Sequence, residues 1–237
     1  SSGDGGVQDM TRLPPTSASH SEHANSRCRG LGVEIFSDLV PEICVIVVAR
    51  TGTRPWRGGL EDEMPDLLYE KRDGVAILTF NRPERRNALS PQLMVLLAEA
   101  WQDFRDDDAM RVAILTGAGD KAFCSGGDLG LLLPLFTGAR TPEDEWDERL
   151  MQGLPDVMAT ALLRPFELYK PIVAAINGYA LAGGSEILQS TDIRIASRTA
   201  RFGLSEAKRG LVPGGGSMVR LPRQVPYCKA MEILLLG

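Results

Sequence analysis

Apolar and polar positions change their rhythm near Leu67. Val75-Ala-Ile-Leu-Thr-Phe80 is an unbroken β-prone run, and Asp73-Gly74 just before it is a turn signal, so a hairpin into a buried strand is predicted. Ser90-Pro91 supplies an N-cap and a proline at the first helical position. Leu93, Leu96, Leu97, Ala100, Trp101 and Phe104 follow on one helical face, which predicts an amphipathic helix. Val112-Ala-Ile-Leu-Thr116, ended by Gly117, and Ile172-Val-Ala-Ala-Ile176, ended by Asn177-Gly178, read as two further strands. Apolar strands alternating with helices predict α/β layering. A unit of strand followed by glycine loop recurs, around 112–127 and again around 172–184.

Two stretches depart from this rhythm. Between the second and third strands lies the variable segment Leu131 to Tyr169, with the acidic run Glu143, Asp144, Glu145, Asp147 and Glu148. A solvated helix face is expected there, with metal binding a distant second. Ahead of Leu67, Ser, Gly, Thr, Pro and Arg dominate both ends of residues 1–65, and only Val33 to Ala49 is apolar enough to order. Residues 1–30 are predicted to be disordered, and residues 1–65 are set apart from a core of residues 66–237.

Composition narrows the classes of function. A chain of 237 residues, 43% hydrophobic, suits one domain or two small ones. A net charge of −5 lacks the positive excess that a phosphate backbone requires, so no nucleic-acid partner is expected. The longest apolar run, Ile43 to Ala49, falls far short of the roughly 20 residues that span a bilayer, so no membrane partner is expected either. Cysteines at 28, 44, 124 and 228 form no C-x-x-C pair, which speaks against structural zinc. Reduced thiols and a cytoplasmic location are the expectation, or the mitochondrial matrix or peroxisome for a eukaryotic chain. The two histidines, His20 and His23, both lie beside the N-terminus. Acid/base chemistry in the body of the chain must therefore use carboxylates, lysines or tyrosines.

Two glycine-dense loops are the candidates for that chemistry: Phe123-Cys-Ser-Gly-Gly-Asp-Leu129 and Ala180-Leu-Ala-Gly-Gly-Ser-Glu-Ile187. Glycine lets a ligand approach the main chain, and unpaired amides opening a helix favour developing negative charge. Either loop alone is an ordinary strand-to-helix connection. Glu186 alone reads equally as a first-turn dipole or capping-box carboxylate. Glu206 alone reads as an ion-pair partner of Lys208 or Arg209.

Taken in order, the motifs resemble the crotonase, or enoyl-CoA hydratase/isomerase, superfamily. The resemblance rests on Asn81-Arg-Pro83 with Arg86-Asn-Ala-Leu89, on Phe123 to Leu129, and on Lys170-Pro-Ile-Val-Ala-Ala-Ile-Asn-Gly-Tyr-Ala180. It continues through Ala182-Gly-Gly-Ser-Glu186, Asp192, and Phe202-Gly-Leu-Ser-Glu206 to Pro213-Gly-Gly-Gly216. It implies an α/β crotonase-like spiral of β-β-α units that binds an acyl-CoA thioester. By the resemblance, the thioester oxygen sits between the backbone amides of Gly127 and Gly183, the oxyanion hole. Glu186 would orient and activate water, while Glu206 would exchange a proton with the α-carbon.

The same resemblance puts Arg85 and Arg86 at the coenzyme A entrance and makes Ala88, Ser125, Asp128, Leu129 and Gly130 substrate-binding, with Asp128 and Leu129 flanking the adenine or pantetheine portion. Cys124 in the same loop reads as packing. The implied activity is that of an enoyl-CoA hydratase-like lyase. It needs no metal and no redox cofactor, since coenzyme A is part of the substrate. The alternatives are another crotonase reaction, isomerisation or thioester hydrolysis, and a non-catalytic acyl-CoA-binding or interaction protein. The family continues into a further C-terminal helical region, whereas this sequence ends at Gly237 in a helix predicted over 229–235. A core truncated at its C-terminus is thus expected, which puts a family-type homotrimer or dimer of trimers in question. Ser205 stands where the family often has proline, and Ala182 where it often has glycine.

Overall fold

The computed structural model describes residues 64–237, together with two short strands ahead of them, β1 (Val33–Ile35) and β2 (Ile46–Val48). These two pair antiparallel with each other. The expected disorder of residues 1–30 lies outside the described residues.

The Asp73-Gly74 turn signal makes the hairpin it predicts. β3 (Leu67–Arg72) and β4 (Val75–Phe80) pair antiparallel through that dipeptide, whose φ angles of 54° and 81° occupy the left-handed region that a two-residue hairpin demands. β5 (Val112–Gly117), β7 (Ile172–Ile176) and β9 (Ile193–Ala196) then extend the sheet in parallel, in the order β3-β4-β5-β7-β9. Three short strands, β6 (Ala122–Cys124), β8 (Tyr179–Leu181) and β10 (Arg201–Gly203), form a second parallel sheet in the order β10-β8-β6.

The chain thus alternates between a strand of the large sheet and a strand of the small one, three times in succession. Two of these pairs, β5-β6 and β7-β8, lead through a glycine loop into a helix, α2 (Leu132–Thr137) and α5 (Gly183–Leu188) respectively. The third, β9-β10, leads to a single 3-10 turn at Ala207–Arg209. This is the spiral that the resemblance implied. Asparagines pin its corners: Asn87 Nδ2 donates to the carbonyls of Ala118 and Ala122 at 3.0 and 2.7 Å. Asn177 Nδ2 donates to those of Gly117 and Gly119 at 2.9 and 2.7 Å.

The helix predicted after Ser90-Pro91 is α1 (Pro91–Asp106), and Ser90 Oγ accepts from the Leu93 N–H at 3.0 Å. Leu93, Leu97, Trp101 and Phe104 are fully buried, as their spacing requires, but Met94, Val95 and Ala98 are buried as well. The apolar stripe is wider than predicted because α3 (Glu145–Gln152) and α4 (Asp156–Ala161) pack over the side of α1 turned away from the sheet. Near the end of the chain, α6 (Ser217–Gln224) and α7 (Tyr227–Leu236) close over Leu204 around Leu221, Ala230 and Leu234. Among the described residues no helix is long and apolar enough to cross a membrane.

The acidic run departs from expectation. Glu143, Asp144, Glu145 and Glu148 are exposed, but Asp147 is 1% exposed. Its carboxylate takes both Nη1 and Nη2 of Arg140, at 2.5 and 2.8 Å, and the Glu143 N–H at 3.0 Å. Burial by itself would raise the Asp147 carboxyl, yet Arg140 and the Glu143 N–H outweigh it and hold the group below the usual carboxylate range. Asp144 caps α3 by accepting from the Asp147 N–H. One member of the run is therefore a buried structural anion, a role that charge density along a sequence does not reveal.

Candidate active site

Both glycine loops leave the small sheet side by side. Gly126 has φ of +94°, and a side chain there would drive its Cβ to 2.6 Å from the Ala182 Cβ in the second loop. Only a glycine lets the two loops approach this closely. Gly184 serves the same end, since a Cβ there would lie 2.3 Å from the Cys124 carbonyl oxygen and push α5 away from β6. Cys124 itself is packing, as expected. It is fully buried, its Sγ accepts from the Gly126 N–H, and burial pushes its thiol up to about 12.

The backbone sets the amides of Gly127 and Gly183 apart from the local hydrogen-bond pattern for two separate reasons. Leu89 and Gly127 form a parallel bridge in which the Leu89 N–H donates to the Gly126 carbonyl and the Asp128 N–H to the Leu89 carbonyl. The Gly127 N–H therefore points to the other side of its strand. Gly183 is the first residue of α5, where helix geometry provides no acceptor. Among the described residues neither amide donates to a backbone carbonyl outside a helix or strand. A Cβ placed on Gly183 would lie 3.9 Å from the Gly127 nitrogen, and both residues border the same space.

That space is a cleft of about 670 Å³. It is lined by every site residue named from the sequence: Glu186 and Glu206, Gly127 and Gly183, and Arg86, Ala88, Ser125, Asp128, Leu129 and Gly130. Met94, Leu132, Leu133, Phe136, Met158 and Leu162 make its apolar wall. At its mouth Arg85 and Arg86 are exposed, and Leu129 and Gly130 form part of the rim.

The two glutamates are buried, at 4% and 8% exposure, in otherwise different surroundings. Glu186 Oε1 accepts the Ser217 N–H, the first amide of α6, at 3.2 Å. Its own helix receives no side-chain cap from it, so the capping-box reading of Glu186 does not hold. Glu206 makes no ion pair with Lys208 or Arg209 among the described residues, and its Oε2 is buried without a hydrogen-bond partner. Lys208 instead donates to the Gly237 carbonyl.

Burial, and then the charge of Glu186, raise the Glu206 carboxyl above its ordinary value against the pull of its own backbone N–H. Stability from the protonated folded form is complete below the ordinary value of 4.5 and is lost as pH rises through the raised folded value. Glu206→Gln is therefore expected to gain stability relative to the unmodified protein as the medium is taken from about pH 4 to about pH 8, followed by urea unfolding. A stability difference that stays flat over that range would show that Glu206 carries no raised carboxyl.

Asp128 lines the cleft with its carboxylate already engaged by the chain. It is 4% exposed; Oδ2 pairs with Arg82 Nη1 at 3.0 Å, and Oδ1 accepts the Gly130 and Leu131 N–H groups at 2.9 and 3.2 Å. Burial alone would raise its carboxyl, but these partners bring it below the usual range. Its carboxylate is thus already engaged in shaping the loop. Arg82, buried and bonded also to the Ala88 carbonyl at 2.8 Å, ties that loop to the Arg86-Asn-Ala-Leu89 segment. Sequence reading assigned no role to Arg82, although it lies within the Asn81-Arg-Pro83 motif. It likewise gave no hint of the Ser217 amide, because a backbone donor leaves no mark on residue identity.

A spiral of paired strands whose two glycine loops and two buried glutamates line one cleft defines a crotonase-fold protein. Residues 70–237 match the family model for enoyl-CoA hydratase/isomerase, and the chain belongs to that family. It is 46% identical over 173 residues to the enoyl-CoA hydratase EchA19 of Mycobacterium tuberculosis, covering 73% of this chain and 62% of that protein. With (E)-benzylidenesuccinyl-CoA hydratase of Thauera aromatica the identity is 42% over 174 residues, covering 73% and 63%. The crystal structure of an enoyl-CoA hydratase from Mycobacterium tuberculosis aligns with a TM-score of 0.60 at 40% identity, covering 73% of this chain and 62% of that one. The chain spans about three fifths of the length of the curated relatives it matches.

Proposed function

We propose that the cleft binds an acyl-CoA thioester and adds water across the α,β double bond of an enoyl group. The observation that carries this reading is the meeting of Glu186 and Glu206 with Gly127 and Gly183 in one cleft. The thioester oxygen accepts from the two amides, which stabilise the enolate-like charge as it develops. Glu186, held in place by the Ser217 N–H at the start of α6, orients water and takes a proton from it as the water oxygen bonds to the β-carbon. Glu206, raised and therefore protonated more readily, delivers a proton to the α-carbon. The exposed guanidiniums of Arg85 and Arg86 face the phosphates of coenzyme A at the mouth. Coenzyme A belongs to the substrate, and the reaction calls for no metal or redox cofactor.

The relatives named as hydratases of CoA thioesters support this reading over isomerisation or hydrolysis. Its test is a panel of enoyl-CoA thioesters with different acyl groups, followed by the absorbance of the conjugated thioester. Loss of that absorbance with formation of a 3-hydroxyacyl thioester is expected. Release of a free CoA thiol, migration of the double bond, or tight binding without turnover would each overturn it.

A further inference from the structure

The loop that holds Glu186 is itself held by two arginines. Residues Gly214, Gly215 and Gly216 precede α6, and three glycines in succession give a backbone too free to keep one shape unaided. Gly215 lies directly against Glu186, where a Cβ would come within 2.6 Å of Oε2 and 2.8 Å of Cδ. The Ser217 N–H that follows donates to Glu186 Oε1. On the carbonyl side, Arg164 Nη1 donates to Gly214, and Arg220 Nη1 donates to Gly215 at 3.2 Å. Arg220 folds back over the first turn of its own helix to do so, and its guanidinium also donates to the carbonyls of Leu162 and Leu163 at the end of α4. Those carbonyls are unpaired by helix geometry, so the guanidinium meets an acceptor set that anchors it rigidly.

We propose that Arg220 is the positioning residue for Glu186: by fastening the Gly215 carbonyl to the end of α4, it fixes the loop whose amide and backbone set the carboxylate in the cleft. The proposal rests on the hydratase reading for its kinetic consequence, but not for its structural one. Arg220 is half-buried. Burial and the nearby Arg164 disfavour its charge, while the Glu186 carboxylate favours it, so the loop lies between opposite charges. Arg220 touches neither the amides nor the bound thioester in this reading. Leu162, whose carbonyl it also holds, lines the acyl wall of the cleft, so the same guanidinium joins that wall to the carboxylate.

The test compares the unmodified protein with Arg220→Met, Arg220→Lys, Glu186→Gln and the double variant of Arg220→Met with Glu186→Gln. Two measurements are made: kcat and KM with a short enoyl-CoA, and hydrogen exchange of the Ser217 amide. Displacing a reacting group by around an ångström costs on the order of 10²-fold, so Arg220→Met should lower kcat by about 10- to 100-fold with KM within about 3-fold. Arg220→Lys, which keeps the charge and can reach one carbonyl, should recover part of that loss. Once Glu186→Gln is in place, adding Arg220→Met should cost less than about 3-fold, because the group being positioned no longer acts. Exchange of the Ser217 amide should quicken in Arg220→Met.

Equal loss in both backgrounds, a rise in KM alone, or unchanged Ser217 exchange would overturn the proposal. If Arg220→Met does not fold, the same comparisons are made with Arg220→Lys and decided by the same signs. If the unmodified protein hydrates no enoyl-CoA, the hydratase reading fails. Ser217 exchange then decides the positioning of Glu186 by itself, quickened supporting it and unchanged overturning it.

Discussion

Glu206→Gln is expected to lower hydration of a short enoyl-CoA by about 10² to 10⁴-fold while leaving acyl-CoA affinity within a few-fold. The amide of glutamine has nearly the shape of the carboxyl but transfers no proton at this acidity, so the substitution removes chemistry with little change in packing. Glu206 is buried among the same cleft residues in either form, and its Oε2 makes no hydrogen bond among the described residues for the change to break. Glu186→Gln should lose activity by a similar factor. The double variant should fall by much less than the product of the two losses, because both carboxylates act on one water and one transition state. The decisive measurement is steady-state hydration together with direct titration of a non-reactive acyl-CoA. A Glu206→Gln protein that hydrates within a few-fold of the unmodified one would end the assignment of Glu206 as the proton donor.

The largest stability effect is expected at Asp147. Asp147→Ala leaves the Arg140 guanidinium, only 14% exposed, with no bidentate partner and only the exposed Glu143 carboxylate at 3.3 Å as an ion pair, and leaves the Glu143 N–H without its acceptor. Removing one partner of a buried ion pair typically costs about 3 to 5 kcal/mol, far more than the ~0 to 1 kcal/mol of a surface pair. Arg140 also donates to the Leu131 carbonyl at the start of α2, the helix that brings Leu132, Leu133 and Phe136 to the cleft. The loss should therefore appear both as a lower denaturant midpoint at unchanged slope and as weaker binding of long acyl groups. Replacing both partners together, Arg140→Met with Asp147→Leu, should restore most of the stability, because no uncompensated charge is left buried. A cost under about 1 kcal/mol for Asp147→Ala would mean that the pair is exposed to water in solution.

Much of the scaffold is written in the residues themselves. Asp73-Gly74 specifies its hairpin because few dipeptides tolerate positive φ at both positions. Ser90-Pro91 and the stripe from Leu93 to Phe104 specify α1, because capping and helical spacing are local properties. β4, β5 and β7 were legible as apolar runs, while β6, β8 and β10, with three residues each, were too short to show a period of two. The glycine loops stand out in the sequence by their composition, whereas the two glutamates become candidates only through the resemblance, because each alone reads as a local dipole, capping or ion-pair group.

What only the tertiary structure decided is where those residues meet and what already holds them. In the sequence Glu186 and Glu206 stand twenty positions apart and each has a bland local role available. The start of α6 gives Glu186 the Ser217 amide, and burial leaves Glu206 Oε2 without a hydrogen-bond partner among the described residues. Folding also withdrew Asp147 and Asp128 from the surface and gave each an arginine, Arg140 seven residues before Asp147 and Arg82 forty-six residues before Asp128. Spacing along a chain reports local backbone geometry, whereas the protonation of a carboxyl depends on the charges and solvent that folding brings to it or removes from it. The sequence therefore determined which groups this protein has available for chemistry, and the fold decided which of them are free to use it.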